Sequence, residues 1–462
     1  METLTDLARQ DISHHFHPYS NAQTVARDGP LVICGADGIE VIDEHGKRYI
    51  EGMSGLWCAS LGFNEPRLAV AAEKQMRALA YYHTFSGKIN NVVAELSAVL
   101  TALAPTAALR AGKVLFANSG SEANDSVVKL VRYYHNAIGQ PRKKKIIARV
   151  KGYHGVTVAS ASLSGIPAMH THFDLPMEGV LRVGCPHAYQ FAQPGESESA
   201  FVDRLVEELE TLIALEGAET IGAFIAEPVQ GAGGVLIPPP DYFEKIQAVL
   251  RQHNILFIAD EVICGFGRTG MRFGSETYGI EPDFLVTAKQ ITSGYVPLSA
   301  VFVSQPIYEA CATASAGVGV FGHGYTYSGH PLACAVALET LKIYEERDLL
   351  GRVRSLAPAF AAGIARLGMH PLVGHARSVG LIGAIELARD RATRTPFPPA
   401  NGVGAYLVQR AQAHGLILRV MAGDVIACCP PLIITETEMS ALFTRFEAAL
   451  ADTAAWVAQT YG

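Results

Sequence analysis

The chain has 462 residues, 49% hydrophobic and only 18% charged, with 37 Lys and Arg against 44 Asp and Glu for a formal net charge of −7. That composition excludes intrinsic disorder, and an acidic chain without basic blocks is a poor partner for nucleic acid or an anionic membrane. At about 150 residues per domain the length allows roughly two to four domains with a sizeable core.

In chain order, the first twenty residues carry acids and histidines where a signal peptide needs an apolar core. Eight cysteines, none in a CxxC pair, give no disulfide framework or zinc site and fit a reducing compartment. A cytoplasmic protein is expected. The cluster His14-His15-Phe16-His17 belongs to an N-terminal arm in this reading, with no metal. Residues 41–46 have a hairpin pattern. Residues 114–116 predict a strand, and Val127, Val128, Leu130, Val131 and Tyr134 mark the helix face that follows. The basic run Arg142-Lys143-Lys144-Lys145 is expected to be a solvated turn before a strand at 146–148. Residues 221–226 are apolar on both faces, as in a buried parallel strand. Asp241 with Glu244 resembles a capping box opening a helix through Tyr242, Ile246, Val249 and Leu250. Two more buried strands are expected at 255–259 and 284–286.

Strands alternating with helices at this spacing predict an α/β fold with a mostly parallel central sheet. A helical pattern then runs through Val336, Leu338, Leu341, Ile343 and Tyr344, followed by weaker strands at 381–387 and 416–419. Residues 333–462 are therefore expected to form a smaller α+β domain, with residues 1–60 packing against it and 61–332 forming the large domain. Between Lys289 and Glu339 the only charged residue is Glu309, but prolines and glycines break the stretch. That excludes a membrane span and points to chain buried in the core or an interface.

GxGxxG occurs twice, at Gly265–Gly270 and Gly317–Gly322, yet neither lies between a strand and a helix N-terminus. A dinucleotide site is not expected at either. Asn118-Ser119-Gly120-Ser121-Glu122-Ala123-Asn124 is a better phosphate candidate, between the strand at 114–116 and the next helix. Gly120 allows close approach, and Ser121 can cap the helix and offer a hydroxyl. An ordinary serine-capped turn accounts for the same residues taken alone.

Asp260 ends one apolar run and Lys289 ends the next. A carboxylate there lies at the ligand-binding edge of an open sheet and needs a partner, while a desolvated lysine becomes a nucleophilic amine. A structural Asp–Lys pair is the plain alternative. Pyridoxal 5'-phosphate requires such parts together: a lysine for a Schiff base, an acid for the pyridine nitrogen, and a phosphate cup. Tyr153-His154 offers an aromatic face.

Nearly the whole chain resembles the class III (omega) aminotransferases of pyridoxal-phosphate fold type I, most closely the amine:pyruvate transaminases. The resemblance runs through Gly52-Met53-Ser54-Gly55-Leu56-Trp57-Cys58, Asn118-Ser119-Gly120-Ser121-Glu122, Gly152-Tyr153-His154-Gly155 and Glu227-Pro228-Val229-Gln230-Gly231-Ala232-Gly233-Gly234. It continues through residues 259–270, Thr287-Ala288-Lys289 and residues 323–331.

The resemblance implies that Lys289 carries the cofactor and shuttles the proton, and that Asp260 pairs with the pyridinium nitrogen. It places Val262 and Tyr153 on the two ring faces, with His154 beside Tyr153. Ser119, Gly120 and Ser121 fall at the phosphate, Thr326 reaches it from the neighbouring subunit, and Glu227 lies near the 3-hydroxyl side. For substrate it implies Trp57, Phe85 and Ala232 as pocket residues and Arg419 as the partner of the carboxylate of pyruvate. The implied enzyme is a ping-pong amine:pyruvate aminotransferase working as a homodimer with shared sites, a tetramer being left open. Gln290 and Ser86 depart from relatives, and Ser86 leaves the amine donor open. An aminomutase, a decarboxylating transaminase or a catalytically idle binding relative are the rival readings.

Overall fold

Apolar runs flanked by amphipathic helices pair into three sheets in the computed structural model, which describes residues 4–461. The first strands, β1 (Ile33–Asp37), β2 (Glu40–Asp43) and β3 (Arg48–Glu51), form an antiparallel meander. Asp43 closes the β2–β3 hairpin by accepting from the amides of His45 and Lys47, both at 2.9 Å.

The central sheet contains β4 (Lys113–Ala117), β5 (Lys145–Arg149), β6 (Val180–Val183), β7 (Ile221–Ala226), β8 (Leu256–Asp260), β9 (Phe284–Thr287) and β10 (Ser299–Val303), in the order β4-β10-β9-β8-β7-β5-β6. Only β10 runs antiparallel to its neighbours. Every residue of β7, β9 and β10 is buried, because helices cover both faces. Phe224 and Phe257 pack on the helices Glu198–Glu216 and Tyr242–Gln252. Their strand neighbours Ala223, Ile225 and Ile258 face the helix Gly120–Ala137. Each such large side chain contributes about 1.5–3 kcal/mol by leaving water, which is why this sheet can hold charged side chains at its rim.

The last strands are β11 (Val373–Val379), β12 (Ile382–Leu387), β13 (Leu416–Ile417), β14 (Arg419–Met421) and β15 (Val425–Cys428). The single strand expected at 416–419 is two strands. β13 pairs parallel with β3 in the first sheet, whereas β14 belongs to the sheet β11-β12-β15-β14.

Two local expectations change. The Asp241 side chain makes no capping bond and instead pairs with Lys245 at 2.7 Å. The basic run is not wholly solvated, since Lys143 is buried with Nζ donating to the carbonyls of Ile221 and Asn254 at 3.2 and 2.8 Å. The charge-poor stretch divides: β10 is core, while Val318 at the end of the helix Gln305–Val318, and Val320 and Tyr327 after it, stand exposed. Gly319, in the second GxGxxG, ends that helix with φ +87°, a C-terminal cap with no anion-binding amides. Among the described residues no helix is long and apolar enough to cross a membrane.

Just past β8, Glu261 is buried and accepts from the amides of Gly274 and Ser275 and from the Ser275 hydroxyl. Burial, reinforced by the Asp260 charge, pushes its carboxyl up to about 7. The fold therefore favours the protonated form, and this contribution is complete below about pH 4.5 and lost as pH rises through 7. Relative to Glu261→Gln, the unfolding free energy of the wild type should fall by about 3 kcal/mol between pH 4 and pH 8. Denaturant titrations of both proteins measure it, and a flat difference would remove Glu261 as the cause.

Candidate active site

The site forms where parallel strands end. Asp260 is the last residue of β8, Lys289 lies two residues beyond β9, Glu227 follows β7, and Tyr153-His154 follow β5. The helix Gly120–Ala137 begins three residues after β4. Carboxyl ends of parallel strands are the usual ligand edge of an open sheet, because the loops there diverge and helix N-termini point inward.

Asp260 is buried and fully engaged. Its Oδ2 accepts from Asn124 Nδ2 at 2.9 Å and from His154 Nδ1 at 2.8 Å, and Oδ1 accepts from the Val262 amide at 3.1 Å. Since the ionised carboxylate only accepts, His154 is protonated on Nδ1. Three donors compensate the desolvation that would otherwise cost several kcal/mol and fix the direction of the charge. Asn124 also donates to the His154 carbonyl at 2.7 Å, which leaves its Oδ1 without a partner among the described residues.

Lys289 has φ +53°, a left-handed conformation that costs a non-glycine residue about 1–2 kcal/mol. That turn aims its amine into the cavity, 5.0 Å from the centroid of the Trp57 ring. Burial lowers the ammonium pKa, against the pull of Cys58, Asp260 and Glu227. Glu227 is buried and joins two loops by accepting from the amides of Tyr153 and Gly231, both at 2.9 Å. Burial raises its carboxyl. Burial likewise raises the Tyr153 phenol, and Tyr19, which lines the same cavity, adds to that rise.

Ser119, not Ser121, caps the helix, accepting from the Glu122 amide at 3.2 Å. Ser121 is thereby free to face the cavity, where its Oγ accepts from the Val156 amide at 3.0 Å. Gly155 beside it has φ +128°, and a Cβ there would stand 2.5 Å from the Ser121 hydroxyl.

Trp57, Gly120, Ser121, Tyr153, His154, Glu227, Ala232, Asp260, Val262, Lys289 and Arg419 all line one cavity of about 380 Å³. Three expected residues do not. Ser119 lies behind the helix cap. Phe85 and Thr326 stand together on the surface, where Phe85 lies against Gly324 and Tyr81 donates to the Thr326 carbonyl at 3.0 Å. The cavity also contains Pro18, Tyr19, Leu56 and Asn124, to which the sequence reading gave no role of their own. Asn124 falls at the end of the expected phosphate segment, one helical turn from Gly120. Tyr19 arrives on the N-terminal arm and has no local signal.

These residues fit pyridoxal 5'-phosphate. The helix N-terminus offers amides and the Ser121 hydroxyl to a phosphate. A Cβ on Gly120 would crowd the Val262 methyls at 3.2 Å, so the glycine preserves a slot beside that wall. At its far end lies an oriented carboxylate, with a desolvated amine alongside.

The family model for class-III aminotransferases matches residues 22–450. Gamma aminobutyrate transaminase 3, chloroplastic, of Solanum lycopersicum is 51% identical over 92% of this chain and 81% of its own length. Gamma-aminobutyrate transaminase 1, mitochondrial, of Oryza sativa subsp. indica is 50% identical over 93% of this chain and 83% of its own. The solved omega transaminase from Pseudomonas jessenii in complex with PMP superposes with a TM-score of 0.96 at 51% identity, covering 99% of this chain and 100% of that one. A solved transaminase with L-Ala gives 0.90 at 51% identity, covering 92% and 100%. Motif order, cavity and family model coincide: the chain belongs to the class-III aminotransferases, enzymes that depend on pyridoxal 5'-phosphate.

Proposed function

We propose that this enzyme takes the amino group of an apolar amine and passes it to pyruvate, forming alanine, in a two-stage ping-pong cycle. The observation that carries this reading is Arg419. Its guanidinium faces the cavity from the start of β14, 5.4 Å from the centroid of the Trp57 ring whose surroundings also hold Lys289. Among the described residues it has no carboxylate or carbonyl partner. A half-buried arginine with an open fork suits a bidentate carboxylate, and Trp57 with Leu56 and Ala232 supplies apolar wall for the rest of a substrate.

The bound cofactor supplies the electron sink that makes a substrate C–H bond acidic. Asp260 would hold the ring nitrogen in its protonated state, with His154 and Asn124 keeping the carboxylate aimed. Lys289, its amine made available by burial, would hold the cofactor and move the substrate proton at Nζ. Tyr153 and Tyr19 close one side against water.

A gamma-aminobutyrate donor is the second reading, favoured by the relatives of that activity. Its own carboxylate would take the same Arg419. The reaction would need two copies of the chain, since Thr326 and Phe85 stand on an exposed, charge-poor surface away from their own cavity. There Thr326 of the partner subunit would reach the phosphate. Eight free cysteines are compatible with a reducing cytoplasmic setting.

A half-reaction panel with diamines, β-alanine, taurine, gamma-aminobutyrate and arylalkylamines, read by bound-cofactor absorbance, should rank an apolar amine first. Alanine should accumulate from pyruvate without carbon dioxide; carbon dioxide release would favour the decarboxylating rival.

Arg419→Leu should raise KM for pyruvate about 10- to 100-fold, the loss of one charge-assisted pair, and change the half-reaction of an uncharged arylalkylamine less than about 3-fold. Equal losses in both halves would take carboxylate recognition away from Arg419. Asp260→Asn should lower kcat by about 100-fold or more while the phosphate site still retains cofactor; the removal of one preorganised charge interaction typically has that scale. Steady-state kinetics and cofactor content after dialysis check it, and near-normal kcat would exclude the assigned role.

A further inference from the structure

Trp57 owes its place to an unusual piece of backbone. Ser54, Gly55, Leu56 and Trp57 have φ of +49°, +54°, +71° and +63°. The Trp57 amide donates to the Met53 carbonyl at 2.7 Å and the Cys58 amide to the Ser54 carbonyl at 2.8 Å. Together these make one turn of left-handed helix. Three of the four residues have side chains that disfavour this region, and only Gly55 is at ease in it. Such a turn persists only where surrounding contacts determine it.

Two buried ionisable side chains make those contacts. Glu51, at the end of β3, accepts from the Gly55 amide inside the turn. Arg268, from the first GxGxxG segment, is wholly buried and donates to the Ser54 hydroxyl at 3.3 Å. The same guanidinium donates to the carbonyls of Leu381 at 3.1 Å and Pro430 at 2.6 Å. The Ser54 hydroxyl donates in turn to the Cys429 carbonyl at 2.7 Å, and the Trp57 indole donates to Cys429 Sγ at 3.2 Å. Residues 54, 381 and 430 are thus gathered onto the one Arg268 side chain. The indole projects from this anchorage to lie within reach of both Lys289 and Arg419.

We propose that Glu51 and Arg268 are positioning residues for Trp57: they hold the left-handed turn closed and thereby set the aromatic wall that selects the amine substituent. This rests on the cavity being the substrate site. It also gives the glycine segment 265–270 a task, since its glycines let the backbone deliver Arg268 to the turn rather than cradle a nucleotide.

The test uses intrinsic fluorescence. The protein has two tryptophans, so in a Trp456→Phe background Trp57 is the only indole. In the full chain, with and without pyridoxal phosphate, Glu51→Ala, which removes the acceptor, and Arg268→Lys should each raise acrylamide quenching of Trp57 at least threefold. Far-UV circular dichroism should stay unchanged, and KM for the amine donor should rise about tenfold, more than kcat falls. Leu56→Gly in the Glu51→Ala protein should restore shielding, because glycine removes the left-handed penalty at a half-exposed position. A merely structural role would not produce that rescue. If both buried variants fail to fold, Leu56→Val carries the test, since a β-branched residue opposes the turn without touching either anchor; it should raise quenching likewise. Unchanged quenching in any folded variant, or no rescue by Leu56→Gly, overturns the proposal. Increased quenching with unaltered donor KM upholds the positioning and instead overturns the substrate reading of the cavity.

Discussion

The Asp260 carboxylate is buried, and donors from three separate segments converge on it: Asn124 from a helix, His154 from the loop after β5, and the Val262 amide from its own loop. A charge so placed is tolerable only if each donor arrives at bonding distance. That condition fixes the relative positions of the strand ends, and with them the walls of the cavity. The apolar sheet and its two helical layers are what make this precision possible, because a core packed on both faces resists the small shifts that would leave the carboxylate unpaired.

Lys289 follows the same logic with opposite sign. The cation is held in dry surroundings by a left-handed backbone and kept from a direct ion pair, so its pKa is pushed down rather than up. Glu227 then ties Tyr153 to the Ala232 loop through two amides. The acid, the amine and the tether are each desolvated, and each is compensated by a different means: side-chain donors, neighbouring charge and backbone amides.

Much of this was legible in the sequence wherever a chemical requirement coincides with a local pattern. β7, β8 and β9 announce themselves as uninterrupted apolar runs, and Asp260 and Lys289 are conspicuous because each terminates one. The turn at Gly120 is visible as a glycine between strand and helix. What local pattern could not give was contact between distant segments. Lys143 looks solvated in its basic run, yet carbonyls from β7 and the 253–254 turn take it inside. Tyr19 enters the cavity on an arm whose own sequence is polar. β10 was hidden in a charge-poor stretch because its neighbours in sequence, rich in glycine and proline, mask a five-residue strand. The resemblance to a family supplied residue roles that periodicity alone had left open between catalysis and a plain ion pair.

The break between β13 and β14 gives Arg419 a particular mechanical setting. Leu418 is the only residue between a strand bonded to the N-terminal meander and one bonded to the C-terminal sheet. The guanidinium therefore sits on the first residue beyond a joint, as a lever does on its pivot. Its reach into the cavity depends on the angle between the two sheets, so the position of that charge and the set of the joint form a single geometric variable.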